Sequence, residues 1–448
     1  MNNLSRNYVP NSLDFENIPT ATITISHQEI SENLEIISKI TQNQQQWQAY
    51  LNLLAFIVFK KWLNTRNITF NQSLNKYTIC QAEYVNFINA ICNLQVGEFT
   101  ICLIAIGSLT DELINLPQVI VDLPEFTPHF YVLVEVLEEE KMGLVSGFIS
   151  YQKLIKNLTT SNLQPEFDWN YQVPLSWFDS NFNRLLLYLR CLQPEIIALP
   201  SIPERISALR IFESELIELL PQLISPKRQL WEVLTWEQAT LVFTTPELLD
   251  WIYKKQLQFG KESQEVENER IRLSDLFKLL TQPAINVERW LSNQLDELAQ
   301  QLSWMLLPSL VPTSALRSTK EEFAAIAIQL QKQGLKLPLD ARGAYQDLLL
   351  FGIPLRLYAV TWYFTSQFDK DEWTLLLILG TVTGGYIPLN LKLCISDKNG
   401  ILVEKGVDTN NTPYLFARVI GSIDEKFLVK IILRKGVDLT LPPFGFDK

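Results

Sequence analysis

Two histidines, His27 and His129, hold all the imidazole chemistry of the chain, so an acid–base or nucleophilic scheme must use one of them or do without. His129 follows Pro128 at the mouth of a strand, and Cys102 sits on a stretch that reads as a neighbouring strand, which makes a Cys–His nucleophilic pair one candidate. Neither residue lies in a glycine-rich elbow or at a helix start that binds an oxyanion. His27 falls in the first turn of a helix, where the positive end of the dipole disfavours an imidazolium, and reads as a surface residue. There is no G-x-S-x-G elbow, no G-x-x-x-x-G-K-[ST] loop and no G-x-G-x-x-G turn. "GTVTGG" (380–385) lies between strands and reads as a loop. Cys80, Cys92, Cys102, Cys191 and Cys394 are odd in number and widely spaced. They suit reduced thiols in a cytoplasmic protein rather than a disulfide framework or a zinc site. No cofactor is expected.

Carboxylates are harder to dismiss, because 49 acidic residues always supply a pair. "LEEEK" (137–141) is the densest cluster and reads as a solvated hairpin tip; a hydrolase with two carboxylates stays open without named residues. Trp231, Trp236 and Trp251 invite a sugar-stacking platform, but their spacing equally suits packing between helices. Arg342 and Arg356 have the geometry to clamp an anion. Alternatively they pair with Asp340 or Asp347 where a helical region meets a strand-rich one.

The elements that must position these groups follow from periodicity. "TATITIS" (20–26) alternates like a strand, and Ser26 with Glu29 forms a capping box. After a glutamine-rich break, Trp47, Tyr50, Leu51, Leu54, Val58 and Trp62 mark a helix buried on most sides. "GEFTICLIAIG" (97–107), "HFYVLVEVL" and "GLVSGFISY" read as strands, the last two joined by the 138–142 loop. Residues 19–155 therefore read as an α+β domain behind a disordered 1–18. From 156 to 336 the helical period dominates. Its strongest stripe, Val287, Trp290, Leu291, Leu295, Leu298, Leu302 and Met305, predicts one helix over 286–306, and another is expected from Thr319 with Glu322 as its capping partner. The polar 254–272, with Lys254, Gly260, Lys261, Arg270 and Arg272, is expected as a mobile connection and the cheapest place for a cleavage or hinge. From 337 to 448 the period is two, which predicts an all-β Ig-like sandwich. Within it, "GYIPLNLKLCISDKNGILVEKG" (385–406) reads as a hairpin turning at Asp397–Gly400.

Composition bounds the partners. The formal charge is −11, with 38 basic against 49 acidic residues, and no dense Lys/Arg run offers nucleic acid a footprint. No apolar stretch approaches the roughly 20 residues of a membrane span, so no membrane partner is expected.

"ARGAYQDLLLFGIPLRLYAVTW", "EWTLLLILG" and "YIPLNLKLCISDKNGILVEKG" resemble the C-terminal half of a cyanobacterial family, domain of unknown function 1822. "INVERWLSNQLDELAQQLSWMLLP" and "LWEVLTWEQATLVF" resemble its helical middle, and "YLNLLAFIVFKKWL" its early helix. The chain departs at "GEFTICLIAIG", where members carry a Leu-Glu-Cys-Arg-like strand and Thr100, Ile101, Cys102 and Leu103 stand here. The resemblance implies a cytoplasmic protein in a signalling context, beside sigma factors and caspase-like CHAT proteases. The expected function is thus a non-catalytic regulatory or scaffolding protein acting through protein–protein interaction, as partner or substrate of such a protease. The alternatives are a carboxylate-dependent hydrolase and a sensor of an anionic small molecule.

Overall fold

The structure, a computed structural model, describes residues 22–31, 43–68, 77–107, 112–259, 266–307, 326–328, 330–331, 335–350, 352–365, 371–382, 384–407, 409–434 and 437–446. It is mixed α+β, and the chain divides into two compact units. One holds Met1–Pro203 and Gln222–Phe259, the other Glu204–Pro221 and Gly260–Lys448. The expected disordered 1–18, and the start of the helix expected at Thr319, lie outside the described residues.

The first unit carries β1 (Ile23–Thr24), β2 (Ile91–Val96), β3 (Phe99–Ile106), β4 (Leu113–Pro117), β5 (Phe130–Leu137), β6 (Met142–Ser150) and β7 (Asn170–Pro174). Five of them form one sheet in the order β1-β6-β5-β3-β2, while β4 pairs with β7. All three strands expected between 97 and 151 are present, with the β5–β6 hairpin turning at 138–141. Every residue of β5 but Leu137 is buried, the near-continuous apolar pattern of a strand covered on both faces. Against one face lies α1 (Asn43–Asn64), whose Leu54, Val58 and Leu63 share a core with Ile101, Leu103, Phe130 and Val132. Because β3 and β5 run parallel, the chain between them must cross over. That crossover carries β4 and α2 (Gln118–Asp122). The unit continues through α3 (Tyr151–Ser161) and α4 (Phe182–Cys191). It resumes, after α5 (Ile206–Leu223), with α6 (Trp236–Phe243) and α7 (Pro246–Gln258).

The predicted capping box is present: Ser26 N–H donates to Glu29 Oε2 (2.9 Å) and Glu29 N–H to Ser26 Oγ (3.3 Å). Lys61 Nζ donates to the same carboxylate at 2.7 Å. Burial pushes the Glu29 carboxyl up, but the hydrogen bonds from Lys61 and Ser26 outweigh it and bring it from 4.5 down to about 2. A depressed folded-state value stabilises the fold above the unfolded value and loses that contribution as pH falls. Glu29→Gln is therefore expected to cost about 1 kcal/mol at pH 7, reduced by solvent screening of a side chain one third exposed. In urea titrations the gap between variant and parent should close between pH 4.5 and 2.

In the second unit, α8 (Val266–Thr281) is followed by β8 (Ile285–Asn286), α9 (Glu288–Leu291), α10 (Glu297–Gln301) and β9 (Met305–Leu306). The single helix predicted over 286–306 is thus two short helices between strand fragments. Asn293 and Ser303 take left-handed backbones (φ 62° and 61°), which end helices. The N–H groups of Ile285 and Val287 are drawn to the carbonyls of Pro443 and Gly445. The apolar stripe still marks burial, with Val287 and Trp290 inside and Leu291, Leu295, Leu298 and Leu302 packed against the core.

The C-terminal region is all-β. Its strands are β10 (Arg342–Leu350), β11 (Ile353–Thr365), β12 (Asp371–Thr381), β13 (Lys392–Asp397), β14 (Gly400–Gly406), β15 (Tyr414–Ser422), β16 (Leu428–Arg434), β17 (Val437–Thr440) and β18 (Phe444–Gly445). Together with β9 they form one sheet of order β15-β12-β11-β10-β9 and a second of order β14-β13-β16-β17, while β18 pairs with β8. Leu357, Leu375 and Leu377 of the first sheet share a core with Leu393, Ile395 and Ile431 of the second, which makes the pair a sandwich. The hairpin expected near 397–400 is present. Asp397 Oδ1 accepts the N–H groups of Asn399 (2.8 Å) and Gly400 (2.9 Å), an Asx turn that leads into Gly400.

Candidate functional site

The residues singled out in the sequence are not gathered in one place. Cys102 is fully buried, and its thiol faces Cys92 Sγ at 3.7 Å rather than an imidazole. His129 Nδ1 instead receives the Thr100 N–H at 2.9 Å. Burial pushes the Cys102 thiol well up and the His129 imidazole down, the reverse of an activated thiolate–imidazolium pair. Thiol titration of the native protein should therefore label exposed Cys191 first. Cys92, Cys102 and Cys394 should react only on unfolding, since all three are buried and burial holds Cys394 up at about 11.

Arg356 lies directly across from Asp347 in the β10–β11 ladder. It binds that carboxylate through Nε (2.6 Å) and Nη2 (2.9 Å) and stacks on the Tyr345 ring at 4.7 Å. Arg342 donates to the carbonyls of Leu339 and Ala341. Five strand positions, about 16 Å, separate Asp347 from Arg342, so the two guanidiniums do not converge. Of the polar 254–272 stretch, Lys254 lies in α7, paired with Asp250. Arg270 and Arg272 lie in α8, paired with Glu267 and Glu269. Gly260 and Lys261 fall outside the described residues. Among the tryptophans, Trp236 packs on Trp169 and Trp251 lies under Lys255, while Trp231 faces a different environment.

That environment is a cleft of about 450 Å³ in the first unit, at the carboxyl end of β3. The sheet is mixed, with β3 and β5 its parallel pair among the described residues. Here the crossover from β3 to β5 supplies the second wall. Ile104–Gly107 and β4 line it together with side chains from α1, the 168–170 turn and Trp231. The polar groups are carboxamides, from Gln45, Gln48, Asn89, Asn115 and Asn170, with one carboxylate, Asp168. Two indoles complete the lining: Trp231, and Trp47, which is 54 % exposed. No lysine, arginine or histidine is among the described lining residues.

Two features mark the cleft as more than a surface irregularity. Gln45 is only 3 % exposed, yet its Oε1 has no hydrogen-bond partner, and a buried unsatisfied carbonyl costs about 1–3 kcal/mol. Trp169, between the lining residues Asp168 and Asn170, has a left-handed backbone (φ 59°), a conformation costly for a bulky residue. It is held by its carbonyl, which accepts from Gln118 N–H at 2.7 Å, and by ring packing on Trp236 and Phe243. The sequence concealed this site. "QNQQQW" reads as a break, whereas α1 already begins at Asn43. Gln45 and Gln48 stand one turn apart, and this polar pair on an otherwise buried helix is the signal that was available. Among the described residues no helix is long and apolar enough to cross a membrane, and no group of His, Cys, Asp and Glu is placed to hold a metal ion.

Comparison with known proteins places the chain in a family. The profile described as "Protein of unknown function (DUF1822)" matches residues 23–439. The chain belongs to the DUF1822 family. No curated protein matches it. The match spans the cleft and most of the sandwich, so both are parts of the family's common region.

Proposed function

We propose that this DUF1822 protein is a non-catalytic recognition protein, and that the cleft of the first unit is where it binds an uncharged, polar ligand. One observation carries the reading: five carboxamides and two indoles converge on a cavity that, among the described residues, has no cationic side chain and no partner for the buried Gln45 Oε1. Carboxamides both donate and accept, so they recognise neutral polar groups, and indole faces add contact area at low conformational cost. Among the described lining residues Asp168 is the one acid and none is a lysine, arginine or histidine, which does not favour paired-carboxylate hydrolysis there. The lack of cations speaks against an anionic ligand. A regulatory or scaffolding role in a reducing compartment is consistent with this reading and with five unpaired thiols.

The test is calorimetric titration with three neutral probes: maltohexaose, adenosine and an uncharged peptide. One class should bind, with affinity unchanged between about 0.05 and 0.5 M salt because no ion pair is screened. Trp47→Ala and Gln45→Leu should each weaken it by about tenfold or more. Steep salt dependence, turnover of the bound probe, or indifference to both substitutions would overturn the proposal.

A further inference from the structure

The geometry points to an extended, uncharged peptide segment as the ligand, adding as a strand to the open half of β3. This rests on reading the cleft as a recognition site and specifies what it recognises. β2 pairs with β3 only as far as Ile91↔Leu103, whereas β3 runs on to Ile106. Along a strand, successive residues turn their main-chain N–H and C=O to opposite neighbours. The Thr100 carbonyl accepts from His129 N–H, so even-numbered positions of β3 serve β5 and odd-numbered ones serve β2. Ala105 is the first odd position beyond the end of β2, and it lines the cleft. Its N–H and C=O have no ladder partner on that side among the described residues.

The facing wall has the same character. The Glu112 carbonyl accepts from Leu175 N–H, and Gln118 N–H donates to the Trp169 carbonyl. Even-numbered positions of β4 therefore serve β7. Leu113 and Asn115, both lining the cleft, turn their main chain away from β7. Pro117, without an N–H, ends that edge. Two strand edges with main-chain groups unused among the described residues thus flank one cavity, and a third strand between them would satisfy both.

A saccharide would use the indoles but has no alternating N–H and C=O to offer the edges. A peptide has both, and its amide groups match the carboxamides of Gln45, Gln48, Asn89 and Asn170. Three residues of strand, about 10 Å, span the open run Ile104–Ile106 in a cleft that Trp47 and Trp231 also line.

The probe is found by selecting from a displayed library of random peptides, roughly ten residues long, on the full-length chain. The enriched sequence is then synthesised together with a series methylated at one amide nitrogen each. Strand addition between the two edges predicts that methylation at each central residue weakens binding by about tenfold or more, because successive N–H groups serve opposite edges, and methylation at the ends changes little. Ala105→Pro removes the one N–H of the open β3 edge that is aimed at the ligand and should cause a similar loss. Should that variant fail to fold, the methylation series decides alone, because it leaves the protein untouched. A bound peptide that tolerates methylation at its central amide nitrogens would overturn strand addition. Trp47-dependent binding of maltohexaose or adenosine, with no peptide selected, would overturn the peptide and leave the recognition site standing. No binding of any of the three probe classes would overturn both.

Discussion

Replacing Trp373 by alanine is expected to destabilise the C-terminal unit by about 3–5 kcal/mol, the range for deleting a fully buried large aromatic. Trp373 is fully buried on β12, the strand held between β11 and β15. Its ring stacks on Phe446 at 5.3 Å and tilts against Phe427 at 5.1 Å, and Nε1–H donates to the Ser422 carbonyl at 3.0 Å. Truncation therefore removes contact area, opens a cavity and deprives the Ser422 carbonyl of its donor. Trp373→Phe keeps part of the ring and loses the hydrogen bond, so a smaller loss, about 1–2 kcal/mol, is expected. The effect should also travel. Phe446 follows β18, whose neighbouring carbonyls hold the N–H groups of Ile285 and Val287. Hydrogen exchange at those two amides should accelerate in Trp373→Ala beyond global destabilisation. Unchanged relative protection there would mean that the terminal segment is seated without the tryptophan.

Why some of this was legible in the sequence, and some not, follows from which interactions set each element. The region from 337 keeps a period of two and carries apolar runs such as Leu375–Leu379 on β12, a pattern that buries one face of each strand, so the sandwich could be read directly. The stripe from Val287 to Leu302 carried a true signal of burial but a false one of continuity. Helical spacing says which residues face inward; it does not register two left-handed residues or a distant carbonyl that captures Ile285 N–H. The cleft was the least legible feature. Its chemistry lies in amides, which carry no charge signature. Its walls are strand edges that exist only because β2 ends one pairing early and a crossover leaves β4 beside the gap. Arg356 shows the opposite failure: a residue type suited to anion binding is occupied by Asp347, and only the register of the ladder reveals it.

Gly343→Ala is expected to be the most damaging single-methyl addition in the sandwich, at about 3 kcal/mol or more. A Cβ built at Gly343 would stand 2.5 Å from the Ala359 carbonyl oxygen and 3.1 Å from Val360 Cα. Both are main-chain atoms of β11, which is paired on each side along its length, so neither can swing away as a side-chain tip would. Relief requires the two strands to part at the Gly343↔Val360 pair. That strains the neighbouring ladder and the bond from Leu307 N–H to the Gly343 carbonyl. Gly352, in the turn of the same hairpin, separates this cause from the general cost of replacing glycine. It has φ +80° and open space where a Cβ would go, so Gly352→Ala incurs only the left-handed backbone penalty, about 1–2 kcal/mol. Denaturant unfolding of the two variants should therefore rank Gly343→Ala as clearly the worse. Equal losses would mean that β10 can shift against β11 to admit a methyl group, and that the close approach of the two strands is not what requires glycine at 343.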